Sequence, residues 1–132
     1  MAGGGGDYAR KRIIYQDKAG SYHVAAADTG TIALLPLLTG KFASDNYQIQ
    51  QIHVEVSTSA AQTWSFQDST GTPVPIVPVV STASIAHFDF DFGPEGVPCG
   101  AGTAFNLVIS GANAVGWVSW LAFQKPAAVV AA

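Results

Sequence analysis

Cysteine and charge are the two things this sequence has least of. Its single cysteine, Cys99, excludes an intrachain disulfide framework and any zinc site built from several thiolates. Such sparing use suits a reducing compartment, or a particle assembled in one. No apolar run is long enough to cross a bilayer, so no membrane partner is expected. The first seven residues, Met1 to Asp7, lack the charged-then-apolar layout of a signal peptide, which points to a product of the cytoplasm. Also missing are a phosphate-cradling Gly-x-x-x-x-Gly-Lys loop, a Gly-x-Gly-x-x-Gly turn after a strand and a Gly-x-Ser-x-Gly elbow. No internal repeat is present. These absences leave no motif for nucleotide chemistry or acyl transfer, and no enzyme is expected.

Charged residues make up 11% of the 132, six Lys/Arg against nine Asp/Glu, where a soluble domain typically carries about 25%. Mean hydropathy is positive at +0.27 for a mass of 13.7 kDa. A lone monomer of that mass exposes roughly 6,600 Å², a large area for so few ions. Alanine and glycine account for part of the apolar excess; the remainder implies surface that is covered in the working state. A net charge of −3 does not fit a general nucleic-acid binder, which is basic. No nucleic-acid partner is expected.

What is present reads as strands. Residues 47–57 put Ile52, Val54 and Val56 on one face and His53 and Glu55 on the other. Residues 62–67 place Trp64 and Phe66 together. Residues 84–92 have the cleanest period of two, with Ala86, Phe88, Phe90 and Phe92 inward and His87, Asp89 and Asp91 outward. Residues 104–110 group Phe105, Leu107 and Ile109. Residues 115–124 are apolar on both faces, Trp117, Leu121 and Phe123 on one and Val118, Trp120 and Ala122 on the other; such a strand is central or lies in an interface.

Residues 21–27 and 31–38 read as further strands, the second interrupted by Pro36. The Val74–Val79 stretch, with Pro75 and Pro78, suits an edge or a laid-down loop. Residues 7–18 fit a short helix capped by Asp7 or an extended segment through Ile13, Ile14 and Tyr15. Turns rich in Gly and Pro separate the runs at 68–73, 93–98 and 110–113. Six to eight short strands imply an all-β antiparallel sandwich or barrel. The chain divides into an N-terminal arm at 1–20, glycine-rich at its start, a sandwich domain at 21–125 and a short apolar C-terminal tail at 126–132.

Few residues offer chemistry. Cys99, in Pro98-Cys99-Gly100, has no local group to lower its pKa and reads as a quiet thiol. His87, Asp89 and Asp91 share a face, as do His53 and Glu55. Were those strands adjacent they could assemble a mixed nitrogen/oxygen metal site or a pH-responsive patch. Alternating polar residues are equally what any solvated sheet face contains, and no metal or cofactor is expected. Arg10, Lys11 and Arg12 form the one basic cluster, too short for a nucleic-acid site and better suited to an acidic protein surface. Of Trp117 and Trp120, one belongs in the core and the other anchors a partner; Trp120 is taken as the anchor.

From Tyr47 to Gln124, about 60% of the chain, the sequence resembles the small β-sandwich decoration proteins of tailed-bacteriophage heads, also called cement or head-stabilising proteins. The resemblance is carried by His53-Val54-Glu55-Val56, by Trp64-Ser65-Phe66-Gln67-Asp68, and by Phe90-Asp91-Phe92-Gly93-Pro94-Glu95-Gly96-Val97-Pro98. It continues through Thr103-Ala104-Phe105-Asn106-Leu107-Val108-Ile109-Ser110-Gly111 and a closing Trp/Val-rich strand. Residues 1–46 have no counterpart in it. The resemblance implies a jelly-roll-like protomer, a homotrimer on the capsid exterior that clamps the major capsid protein lattice, with no catalytic residues. Arg10, Lys11, Arg12 and Trp120 are the expected interface residues. The alternative is a carbohydrate-binding jelly-roll module of a phage fibre or tail, with Trp120 and Gln124 as its sugar platform. A cupin-type metalloenzyme lacks its His-x-His pair here.

Overall fold

A computed structural model describes residues 16–58, 62–70, 80–82 and 86–127. Arg10, Lys11 and Arg12, residues 7–15, the two-proline stretch at 74–79 and the end of the tail lie outside the described residues. The described chain forms ten strands: β1 (Gln16–Asp17), β2 (Gly20–Val24), β3 (Gly30–Leu35), β4 (Asn46–Thr58), β5 (Gln62–Asp68), β6 (Val80–Thr82), β7 (Ala86–Asp91), β8 (Val97–Pro98), β9 (Phe105–Ile109) and β10 (Val115–Lys125). One 3-10 turn, Gly40–Phe42, sits between β3 and β4.

The strands make two sheets with every pairing antiparallel. In one, β10 and β4 lie side by side at the centre; β2 and the short β1 share the outer side of β10, and β7 and the short β8 share the outer side of β4. The other runs β3-β9-β5-β6. Setting β1 and β8 aside, consecutive strands alternate between two four-stranded layers, β2-β10-β4-β7 and β3-β9-β5-β6, except for β5 and β6, which pair within the second. That interleaving is the jelly roll, and the expected antiparallel β-sandwich is what the chain forms.

Alternation determines what lies between the layers. Ile52, Val54, Val56, Val118, Trp120 and Ala122 come from the first sheet; Trp64, Phe66, Phe105, Leu107 and Ile109 come from the second, and all are buried. Phe105 ties the layers together, its ring stacked on Phe66 at 5.9 Å and edge-on to Trp120 at 6.3 Å. The three phenylalanines of the β7 face, Phe88, Phe90 and Phe92, stack in a row with ring centroids 6.4–6.5 Å apart and pack on the core rim.

Local chemistry explains where strands stop short of the sequence pattern. β2 ends at Val24, not Ala27, because the Asp28 carboxylate accepts the Ala25 N–H at 2.8 Å and the Tyr22 hydroxyl at 2.9 Å, closing a turn. β3 ends at Leu35 because Pro36 has no N–H to donate; its carbonyl instead accepts the buried Tyr47 hydroxyl at 2.6 Å. Gln16, Asp17 and Gly20, within the segment read as the arm, are strand residues. Gln16 and Asp17 pair with Gln124 and Phe123, and the Lys18 carbonyl accepts the Trp120 indole N–H at 2.7 Å.

The loop after β8 is held from below. Asp68, buried at the end of β5, accepts N–H bonds from Thr70 at 3.0 Å and Gly100 at 3.1 Å. Cys99 beside it is 4% exposed, and burial, helped by the Asp68 charge, pushes its thiol up to about 12. The quiet-thiol reading of Cys99 therefore has a physical basis: almost none of it is thiolate at neutral pH.

Candidate functional site

The outer face of the first sheet carries the unusual side chains. Strand register sorts them into rows. Trp117 on β10 lies opposite His23 on β2 and Glu55 on β4, and Glu55 lies opposite His87 on β7. In the next row Ser21, Ser119, His53 and Asp89 follow in order across the same four strands. A third row runs Leu121, Gln51, Asp91. None of these rows contains a Lys or Arg.

Two regions share this face. Towards β10 it is apolar: Trp117 is 51% exposed and Leu121 40%. The Trp117 indole leans on the His23 ring at 4.5 Å. A shallow hollow of about 350 Å³ opens beside Leu121, between Gln51, Asp91 and Pro94. A neighbouring one of about 280 Å³ lies between His53, Ser119 and Leu121. Large apolar side chains projecting beside shallow hollows are features of a surface that docks another protein.

Towards β7 the face is ionic. His53 Nδ1 lies 2.5 Å from Asp89 Oδ1, and His87 Nε2 lies 3.0 Å from Asp89 Oδ2. The two imidazoles meet edge to face at 4.6 Å, and His53 Nε2 faces Glu55 Oε2 at 3.7 Å. The hydrogen bond that His53 donates to the Asp89 carboxylate holds the His53 pKa above its ordinary 6.5, against the opposing effect of desolvation. The same bond draws Asp89 below its ordinary 3.8. The pair thus favours the fold most when His53 is protonated and Asp89 ionised. His53's contribution is full below pH 6.5 and fades as pH rises through its raised value; Asp89's fades as pH falls through its lowered one. Both side chains are exposed enough for salt to screen them.

The expected interface tryptophan is placed differently. Trp120 is 8% exposed and spends its indole on Phe105 and the Lys18 carbonyl, so within this chain it is a core residue; Trp117 is the one presented. Gln124 is likewise buried, donating to Asp45 at 2.8 Å, so the Trp120–Gln124 sugar platform does not exist on the surface. Parity on β10 carried no signal that could have chosen between Trp117 and Trp120: the outward set holds Ser119 and Lys125, but the inward set holds Gln124. The adjacency of the His53/Glu55 and His87/Asp89 strands, left open by the sequence pattern, is supplied by the β4–β7 register.

No protein-family model matches the chain, and no curated protein matches it. Among solved structures, the VLP of giant freshwater prawn Macrobrachium rosenbergii extra small virus is similar over 83% of this chain and 78% of its own, at 13% identity and a TM-score of 0.43. The tobacco streak virus coat protein dimer is similar over 91% of both chains, at 13% identity and a TM-score of 0.35. The fold assignment rests on the strand order above.

Proposed function

We propose that this chain is a virion structural protein that works by packing against copies of itself, and that within a virion it decorates the capsid exterior by binding the major capsid protein lattice. The supporting observation is the outward pair Trp117 and Leu121 on a central strand, where a solitary sandwich places polar side chains. A covered interface there also accounts for the low charge of the chain, 11%. The jelly roll is a common shell fold, though shared with lectins and cupins, so the reading stands on the face and not on the topology. The finer assignment to decoration rests on the sequence resemblance to phage cement proteins, and the homotrimer is part of it. Arg10, Lys11 and Arg12 would extend the contact to an acidic partner surface.

Sedimentation and electron microscopy of the untagged full chain test the proposal. Discrete oligomers, of three copies, that pellet with capsid shells support decoration. Closed shells made by the chain alone would replace decoration with shell building. A dispersed monomer at tens of micromolar that ignores shells overturns both.

A further inference from the structure

Beyond any role in assembly, the ionic corner of the outer face has the chemistry of a metal site. His53, His87 and Asp89 each offer one donor atom, all within 4.8 Å of one another. We propose that these three side chains bind a divalent transition ion of the zinc class, with Glu55 as the outer partner of His53.

Four features of the corner support this. First, the donors come from neighbouring positions on two adjacent strands, His53 opposite Asp89 and Glu55 opposite His87. Their backbones are fixed by the ladder, and β4 is itself clamped between β7 and β10. Second, the donors are already grouped. Donors on one tetrahedral zinc ion sit about 3.3 Å apart, given bonds near 2.0–2.1 Å. The two Asp89 oxygens lie 2.5 and 3.0 Å from His53 and His87, and side-chain rotation has to close a donor set that lies within 4.8 Å.

Third, the orientation of His53 matches a metal-bound histidine. With Nδ1 turned into the cluster, its Nε2 faces the Glu55 carboxylate, and a ligating imidazole characteristically gives its remaining N–H to such a group. Fourth, among the described residues no Lys or Arg lies in these rows. Glu55, Asp89 and Asp91 crowd this corner, and Asp91 is turned aside to accept the Gly93 N–H at 2.9 Å. Two imidazoles and one carboxylate select a borderline ion such as zinc over calcium or magnesium, which prefer all-oxygen shells. Remaining coordination positions point to solvent, where water or a group from a neighbouring copy completes the shell.

Calorimetric titration of the untagged full chain with zinc chloride tests the site, alongside NMR of the histidine ring protons. The expected result is saturable binding with shifts at His53 and His87 and none at His23. H53Q, H87Q and D89N each abolish the isotherm, E55Q weakens it by about 10–100-fold, and H23Q leaves it unchanged. Far-UV circular dichroism establishes that each variant is folded. Absence of binding at millimolar zinc, binding that survives H87Q and D89N, or calcium binding where zinc does not, each overturns the proposal. Loss of binding without loss of self-association separates this site from the assembly reading.

Discussion

Replacing Trp117 by alanine isolates the assembly contact from the fold. The indole of Trp117 is 51% exposed, and a tryptophan can bury up to about 250 Å², so roughly 130 Å² is open for a partner to cover. At about 25 cal/mol per Å² that surface is worth ~3 kcal/mol per indole, or about two orders of magnitude in association constant. A two-fold contact using both copies doubles the free energy. The cost to the protomer is small by comparison. Its cross-strand contact with His23 belongs to a class worth about 0.2–1 kcal/mol. Analytical ultracentrifugation over a dilution series should therefore show Trp117→Ala dissociating at concentrations at least a hundredfold higher than the wild-type chain, while its urea midpoint, measured on the monomer, moves little. Trp120→Ala should do the opposite, unfolding early, because a Trp lost from a core typically costs about 3–5 kcal/mol. If Trp117→Ala associates as the wild type does, the outer face is not the contact and the reasoning fails.

Four further outcomes follow from the fold. Gly116→Ala should cost ~3 kcal/mol in urea unfolding at fixed protein concentration, because its Cβ would lie 2.1 Å from the Glu55 carbonyl oxygen, a main-chain atom that cannot swing away. Gly111→Ala, with nothing nearer than 3.9 Å, should stay within about 0.5 kcal/mol. Asp68→Ala should lower stability by ~2–3 kcal/mol with an unchanged denaturant slope, since it orphans the N–H groups of Thr70 and Gly100. Cys99, raised from 9.0 to about 12 by burial, should resist thiol reagents in the native state at pH 8 and react at once in denaturant. With the folded value raised, its contribution to stability is complete below pH 9 and is lost as pH climbs towards 12; rapid native labelling would contradict the buried placement.

Alternation along the chain was enough to locate seven of the strands and to say that Phe88, Phe90 and Phe92 face inward and His87, Asp89 and Asp91 outward, because period two is a property of the backbone and survives without neighbours. It was also enough to foresee an antiparallel sandwich. The short β1, β6 and β8 were beyond it. Two or three residues carry no period, and they are strands only because β10, β5 and β4 offer them ladder partners.

Parity on β10 was beyond it as well. Both faces of 115–124 are apolar, so the sequence alone left Trp117 and Trp120 interchangeable; packing of Trp120 on Phe105, a residue from the opposite sheet, chose between them. Likewise His53 and His87 stand 34 positions apart in the chain, and nothing local brings them within reach. The register of β4 on β7 does so, since pairing between distant strands is set by the whole sheet and by which side each must turn to the core.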